Sequence, residues 1–318
     1  MGDLWDDSAV NGNQWEATCF EYAPHRWRPV DPVSDGWETV GEEPMGSKEK
    51  HWVRDPSGQL WLLKFAREKA DGVRGEDWAE CIVHALAGLI GVPTACVRPA
   101  VCNERRAVLS RAVQTSDERL EHGNELLAQH DSAYEKSEPR ENAGYTVAAV
   151  QRVLQGIDAP TVATAPWGAF GVWSGYVLLD AWVAGRDRHH ENWAVARGQD
   201  HVRLAPSFDH GNALGFAEPE RRIPSFESPG RIHRWCEEGT SPHFAGQPSL
   251  VEIACEALHL GDPDAAVYWV SRLRDVRSDD VRAILAAVPQ NLVSEGRRRF
   301  IERILDTNRE RILDAFSA

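Results

Sequence analysis

Asp187, Asn192 and Asp209 are the side chains of this 318-residue chain whose types and spacing best suit chemistry. The stretch Asp187-Arg188-His189-His190-Glu191-Asn192 sets two oxygen-bearing side chains five residues apart. Asp209 follows seventeen residues after Asn192, in Ser207-Phe208-Asp209-His210-Gly211-Asn212. A strand over 193–195 and a second one before Asp209 would close a small hairpin with these groups at its mouth. Magnesium takes hard oxygen ligands in near-octahedral geometry and shares them with substrate phosphates. Asn192 and Asp209 suit that ion, and Asp187 is then free to orient a hydroxyl nucleophile or take its proton. This is the division of labour of phosphoryl transfer, where positioning and charge neutralisation supply most of the catalysis. A polar turn capped by Asp and Asn accounts for either half alone but poorly for both together. Zinc on His189, His190 and His210 is a weaker alternative, because adjacent side chains on an extended segment point to opposite faces.

A phosphotransferase also needs a cation at the phosphates. Lys64 lies in the apolar run Leu60-Trp61-Leu62-Leu63-Lys64-Phe65, where an unpartnered ammonium would be costly. It is the natural contact for ATP phosphates. Glu80 can hold it in place if its side of a helix over 76–90 looks into the cleft while Trp78, Ile82 and Leu89 pack on the lobe. Gly46 and Ser47, in Gly41-Glu42-Glu43-Pro44-Met45-Gly46-Ser47-Lys48-Glu49-Lys50, can offer backbone N–H groups to a phosphate. Their spacing matches neither common glycine-rich phosphate motif.

These residues must be positioned by elements that the pattern predicts. Asp55-Pro56-Ser57-Gly58 reads as a tight turn between two strands. The 76–90 helix stops at Gly91 and Pro93. Residues 97–101 and 107–113 read as strands, with Pro99 arguing for an edge. The polar stretch 114–142 reads as a surface excursion or mobile insert without chemical signal. Helices are expected over 145–154 and 167–183, the latter delivering the chain into Asp187, and over 250–260, 265–273, 279–288 and 300–316. The class is α+β, two-lobed, with a strand-rich N-terminal lobe and a helix-rich C-terminal lobe. The expected division is an extension over 1–40, an ATP-binding lobe with a polar insert over 41–143, and a catalytic lobe over 144–318.

Composition narrows the partners. Thirty-five Lys and Arg against 49 Asp and Glu leave a formal charge of -14, which disfavours direct nucleic-acid binding. No segment approaches the ~20 apolar residues of a membrane span, and the N-terminus has no basic or apolar leader. The six cysteines, Cys19, Cys81, Cys96, Cys102, Cys236 and Cys255, form no C-x-x-C pair. They read as reduced thiols of a cytoplasmic protein.

The chain resembles the HipA-like kinases, a bacterial branch of the protein-kinase-like fold distantly akin to phosphatidylinositol kinases. The likeness rests on Asp187-Arg188-His189-x-x-Asn192 for the catalytic loop and Phe208-Asp209-His210-Gly211 for the metal-binding loop. It extends to Leu62-Leu63-Lys64-Phe65, to Gly75-Glu76-Asp77-Trp78-Ala79-Glu80, and to the late run Val288-Pro289-Gln290-Asn291-Leu292-Val293-Ser294. Met45-Gly46-Ser47-Lys48-Glu49-Lys50 looks like the family's phosphate loop, which puts Gly46, Ser47 and Lys48 at the nucleotide. The resemblance implies a serine/threonine protein kinase using ATP and Mg2+, with Asp187 as catalytic aspartate, Asn192 and Asp209 as metal ligands, and Lys64 as phosphate contact. It also implies a hydroxyl-bearing substrate, most naturally a protein, and an antitoxin-like regulator. A lipid or small-metabolite kinase, or an ATP-binding pseudokinase serving as a regulatory scaffold, are the alternatives. Two departures stand out: His210 occupies a place where many relatives have Asn, and the N-terminal region is shorter than in the full toxin kinases.

Overall fold

The computed structural model describes residues 27–43, 49–70, 72–161, 163 and 166–317. Its N-terminal part is built on an antiparallel five-stranded sheet: β1 (Glu38–Glu42), β2 (Lys50–Arg54), β3 (Leu60–Phe65), β6 (Val97–Cys102) and β7 (Arg105–Arg111), in the order β1-β2-β3-β7-β6. The turn between β2 and β3 is set by Asp55, whose Oδ1 accepts from Ser57 N–H and Gln59 N–H at 2.9 Å each. This is the local bonding that makes Asp a turn former. Pro99 lies on the edge strand β6, where its missing N–H costs no ladder bond. A small hairpin of β4 (Glu68–Lys69) and β5 (Gly72–Val73) leads into α1 (Glu76–Ile90).

α1 ends at Gly91, which adopts φ 77°, the left-handed conformation that glycine enters without a steric cost. The helix is covered on both sides: it packs against β6 and β7 and against helices of the C-terminal part. Glu80 is therefore 1% exposed even though it lies away from the Trp78 face.

The stretch from 114 to 142 differs from its reading as a plain surface excursion. It forms β8 (Arg119–His122) and α2 (Gly123–His130), and β8 joins β9 (Ala194–Arg197) and β10 (Val202–Leu204) in a second antiparallel sheet of order β10-β9-β8. Its polar composition hid this because the apolar contribution is sparse: Leu126, Leu127 and Tyr134 are the buried anchors.

The C-terminal part contains α3 (Val147–Leu154), α4 (Ala169–Val183), a 3-10 segment (Glu220–Glu227), α5 (Pro229–Glu237), α6 (Leu250–Leu260), α7 (Pro263–Arg274), α8 (Ser278–Ala287) and α9 (Glu295–Ser317). All residues of α4 are buried, as expected of a helix that is apolar all round. Gly175 lets the Trp269 indole lie against it, since a Cβ there would come within 2.7 Å of the ring. α6 opens on a capping box, Ser249 with Glu252, which satisfies two otherwise orphaned N–H groups. Among the described residues no helix is long and apolar enough to cross a membrane.

Candidate active site

Lys64 is carried by the central strand β3, opposite Lys50 of β2 and Val108 of β7. Its Nζ donates to both carboxylate oxygens of Glu80 at 2.7 Å and to Asp209 Oδ1 at 3.2 Å. Burial alone would drive the ammonium to lose its proton, but the Asp209 and Glu80 carboxylates outweigh it and raise the Lys64 pKa above its ordinary value. The buried cation is thus charged and fixed, and it ties the sheet to α1 and to the Asp209 loop.

The loop carrying Asp187 is delivered by α4. Ala184 takes φ 54° just past the helix, and Gly185 N–H donates to Asp180 O at 2.8 Å, so the chain turns sharply toward Arg186 and Asp187. Arg188 then reaches back to Asp180 with two bonds, Nε to Oδ2 at 2.7 Å and Nη2 to Oδ1 at 2.9 Å. Its remaining nitrogen donates to Asn192 O at 2.7 Å, so a fork-to-fork pair braces both ends of the loop. Tyr145 OH donates to Arg188 O at 3.0 Å and accepts from Trp193 Nε1 at 3.0 Å. Asn192 Nδ2 donates to Asp187 O at 2.6 Å, which commits the amide nitrogen inward and leaves Oδ1 as its acceptor.

Asp187 Oδ1 accepts from His243 Nε2 at 3.0 Å. Burial pushes the Asp187 carboxyl up, but the hydrogen bond from His243, the largest opposing cause, helps hold the group below the usual carboxylate range. Asp187 is therefore ionised and able to accept a proton. His189 is neutral: burial lowers it, and its Nδ1 accepts from Glu191 N–H at 3.2 Å, which leaves the proton on Nε2.

Asp209 adopts φ 59°, a left-handed conformation that costs a non-glycine residue roughly 1–2 kcal/mol and is typical of functional loops. The next residue, His210, is buried with Nε2 2.8 Å from Ser207 Oγ. Burial lowers its pKa well below the ordinary value. It is a neutral strut under the loop, which accounts for a ring at this place. A Cβ on Gly211 would lie 3.1 Å from Glu76 O and 3.4 Å from Glu80 Oε2, so the absence of a side chain lets the Asp209 loop approach α1.

Lys64, Asp187, Asn192 and Asp209 line one cavity of roughly 240 Å³, together with Trp52, Leu62, Val113, Leu120 and Phe208. Its apolar part suits a planar base, and its far end is a ring of charge and oxygen donors. Glu80 stands behind Lys64 rather than on the wall. Gly46, Ser47 and Lys48 lie outside the described residues. The donor set offered by Asn192 Oδ1 and the Asp209 carboxylate is all hard oxygen, which fits magnesium and leaves shell positions for phosphates and water. Among the described residues no group of three or more His, Cys, Asp or Glu is placed to hold a metal by itself. The three histidines weighed for zinc diverge: His189 lies tilted against His243, His190 bonds Tyr134 OH, and His210 bonds Ser207.

His243 and the bracing residues Asp180, Tyr145 and Trp193 carry no mark in the sequence. Asp180 alone could have been singled out, as a carboxylate inside an apolar helix that must find a cation.

The fold is that of the protein-kinase-like group. The solved structures whose fold it resembles include those of two bacterial proteins. The proinflammatory kinase CtkA of Helicobacter pylori superimposes with a TM-score of 0.70 at 14% identity, over 91% of this chain and 97% of that one. HipA of Shewanella oneidensis, solved with HipB and its operator DNA, gives a TM-score of 0.56 at 10% identity, over 96% of this chain and 82% of that one. The Golgi casein kinase gives 0.50 at 11% identity, over 99% and 83%. No family model matches the chain, and no curated protein matches it by sequence.

Proposed function

We propose that this protein is an ATP- and magnesium-dependent phosphotransferase that acts on serine or threonine hydroxyls of a protein substrate. The observation that carries the reading is the convergence of Lys64, Asp187, Asn192 and Asp209 on one cavity with an apolar slot beside it. In this reading the base of ATP enters between Leu62 and Phe208, and Lys64, already charged and anchored by Glu80, meets the phosphates. The hydroxyl binds at Asp187, which takes its proton as the new O–P bond forms and the bond to the ADP oxygen breaks. Asn192 and Asp209 would hold magnesium, which when bound offsets phosphate charge. Residues 41–143 form the nucleotide lobe, with Gly46, Ser47 and Lys48 at the phosphates, and 144–318 the catalytic lobe, after an extension over 1–40. The likeness to HipA, which was solved with HipB, supports a separate antitoxin-like regulator. Among the described residues the thiols of Cys81, Cys102, Cys236 and Cys255 are free, which supports a cytoplasmic setting.

The test is incubation with γ-labelled ATP and magnesium, alone and with protein, lipid and metabolite fractions of a cell extract. Label on serine or threonine is expected. Label confined to a lipid or a soluble metabolite would replace the protein substrate, and ATP binding without transfer to any fraction would replace the enzyme with a scaffold.

A further inference from the structure

His243 lies 56 residues from Asp187 along the chain and is bound on both ring nitrogens. Nδ1 faces the carbonyl oxygen of Pro139 and Nε2 lies 3.0 Å from Asp187 Oδ1. The His243 side chain is 4% exposed and that of Asp187 39%, so the ring is buried and its carboxylate partner faces the cavity. A carbonyl oxygen has no proton to give, so Nδ1 must be the donor to Pro139. The ionised carboxylate of Asp187 has none either, so Nε2 must also donate. Of the titratable groups around it, Asp187 faces Nε2, and His189, whose ring is tilted against it at 5.2 Å between centroids, is neutral. Arg186 borders the same loop, its Nε donating to Thr240 O at 2.9 Å.

The loop that carries His243 is itself pinned. Ser241 N–H donates to Pro248 O at 2.9 Å, Ala245 N–H to Tyr145 O at 3.0 Å, and Glu141 N–H to Pro242 O at 2.9 Å. Phe244 stacks on Tyr145 with centroids 4.2 Å apart. The polar stretch between α2 and α3 is thereby joined to the loop of Asp187, at Pro139 through His243 and at Tyr134 through His190 Nδ1, 2.6 Å away.

We propose that His243 is the positioning residue of Asp187: its ring is oriented by Pro139 O and fixes one carboxylate oxygen, leaving the other for the substrate hydroxyl. The role rests on the reading of Asp187 as the phosphotransfer base. With Oδ1 held, the carboxylate cannot rotate about its last bond, and the proton of the incoming hydroxyl has a single acceptor in a fixed place. The same contact keeps Asp187 ionised in a site where burial favours its neutral form.

Two measurements test this, and the first is independent of turnover. In 15N-edited spectra of the histidine rings at pH 7.5, both nitrogens of His243 should carry protons in the wild type. In Asp187→Asn one of them should be bare. A neutral His243 ring in the wild type would overturn the pair. The second measurement compares two amide replacements. Glutamine places its nitrogen near Nε2 and keeps a donor toward Asp187, whereas asparagine places it near Nδ1 and keeps only the bond to Pro139. A misplaced reacting group costs on the order of 100-fold, so His243→Asn should lower kcat by about that factor with KM for ATP nearly unchanged, and His243→Gln should recover most of the loss. The reverse order, with asparagine active and glutamine not, would show that His243 only ties the 131–143 segment down and would overturn the proposal. A wild type that transfers no phosphate would count against the phosphotransferase reading, and the ring spectra would then decide the Asp187–His243 pair on their own.

Discussion

Replacing Lys64 with methionine keeps most of the volume of the side-chain stem and removes the ammonium. In the wild type that ammonium is 2.7 Å from both oxygens of Glu80, a residue 1% exposed. The variant therefore strands a carboxylate with no water to replace its partner. Breaking a buried pair from one side costs about 3–5 kcal/mol. The carboxyl can instead take up a proton, which at pH 7 costs about 3.7 kcal/mol from a reference value of about 4.3. Both routes give a similar size, and at roughly 2–4 °C per kcal/mol the melting temperature should fall by about 8–15 °C. The sign of the pH dependence follows. Above a pH of about 4.3 the folded variant holds a proton that its unfolded chain has released, so its deficit grows with pH by up to about 1.4 kcal/mol per unit and shrinks toward acid. Asp209 also loses a contact, but its side chain is 22% exposed and solvent makes up part of the loss. Thermal melts by circular dichroism at pH 7 and pH 5 would measure this for Lys64→Met, Glu80→Gln and the double variant. The double variant should regain most of the stability at pH 7, since no charge is stranded. A Lys64→Met protein that melts with the wild type, or a double variant no more stable than the single one, would refute the reasoning.

Gly123→Ala should destabilise the Asp187 loop, because its Cβ would lie 2.2 Å from the Trp193 ring and 2.6 Å from His190 O; urea titration should show a loss of about 1–3 kcal/mol. Glu118 is pushed up by burial, but bonds from Arg203, Thr115 N–H and His201 bring it to about 2. The stability it lends is full above the unfolded carboxyl's ~4.3 and is lost as pH falls toward about 2, so Glu118→Gln should flatten the acid limb of a stability–pH curve. ATP and magnesium together should stabilise the fold more than either alone, by about 2.7 kcal/mol at a hundred times Kd, and Asp209→Asn should remove the magnesium-dependent part in a thermal-shift titration.

The elements most legible in the sequence are those whose signal is local. The Asp55 turn and its strands, the helix 76–90 stopped by Gly91, and the apolar α4 each follow from a period or a breaker within a few residues. Pro99 could be placed on an edge because a missing N–H is a constraint that composition alone reveals. The stretch 114–142 was illegible for the opposite reason: β8 is held by a partner strand some 75 residues away, and α2 buries only a few side chains. Within the site, Lys64, Asp187, Asn192 and Asp209 could be nominated by residue type and spacing. His243 could not, since its partners lie 56 and 104 residues away and its nearest neighbours, Pro242 and Phe244, have no chemical character that would mark it. Nor does a sequence show that Arg188 turns inward to Asp180, because an arginine in a catalytic loop is as readily drawn facing solvent.

In the proposed mechanism Asp187 takes the proton of a hydroxyl while other residues hold the nucleotide and metal. The measurement that bears on it most directly is phosphotransfer by Asp187→Asn, with MgATP affinity determined on the same preparation by calorimetry. A positioned general base contributes about 10²- to 10⁴-fold, so transfer should fall by that factor while the dissociation constant for MgATP stays close to that of the wild type. An Asp187→Asn protein that transfers phosphate at the wild-type rate, or one that has lost MgATP binding along with turnover, would contradict the assignment.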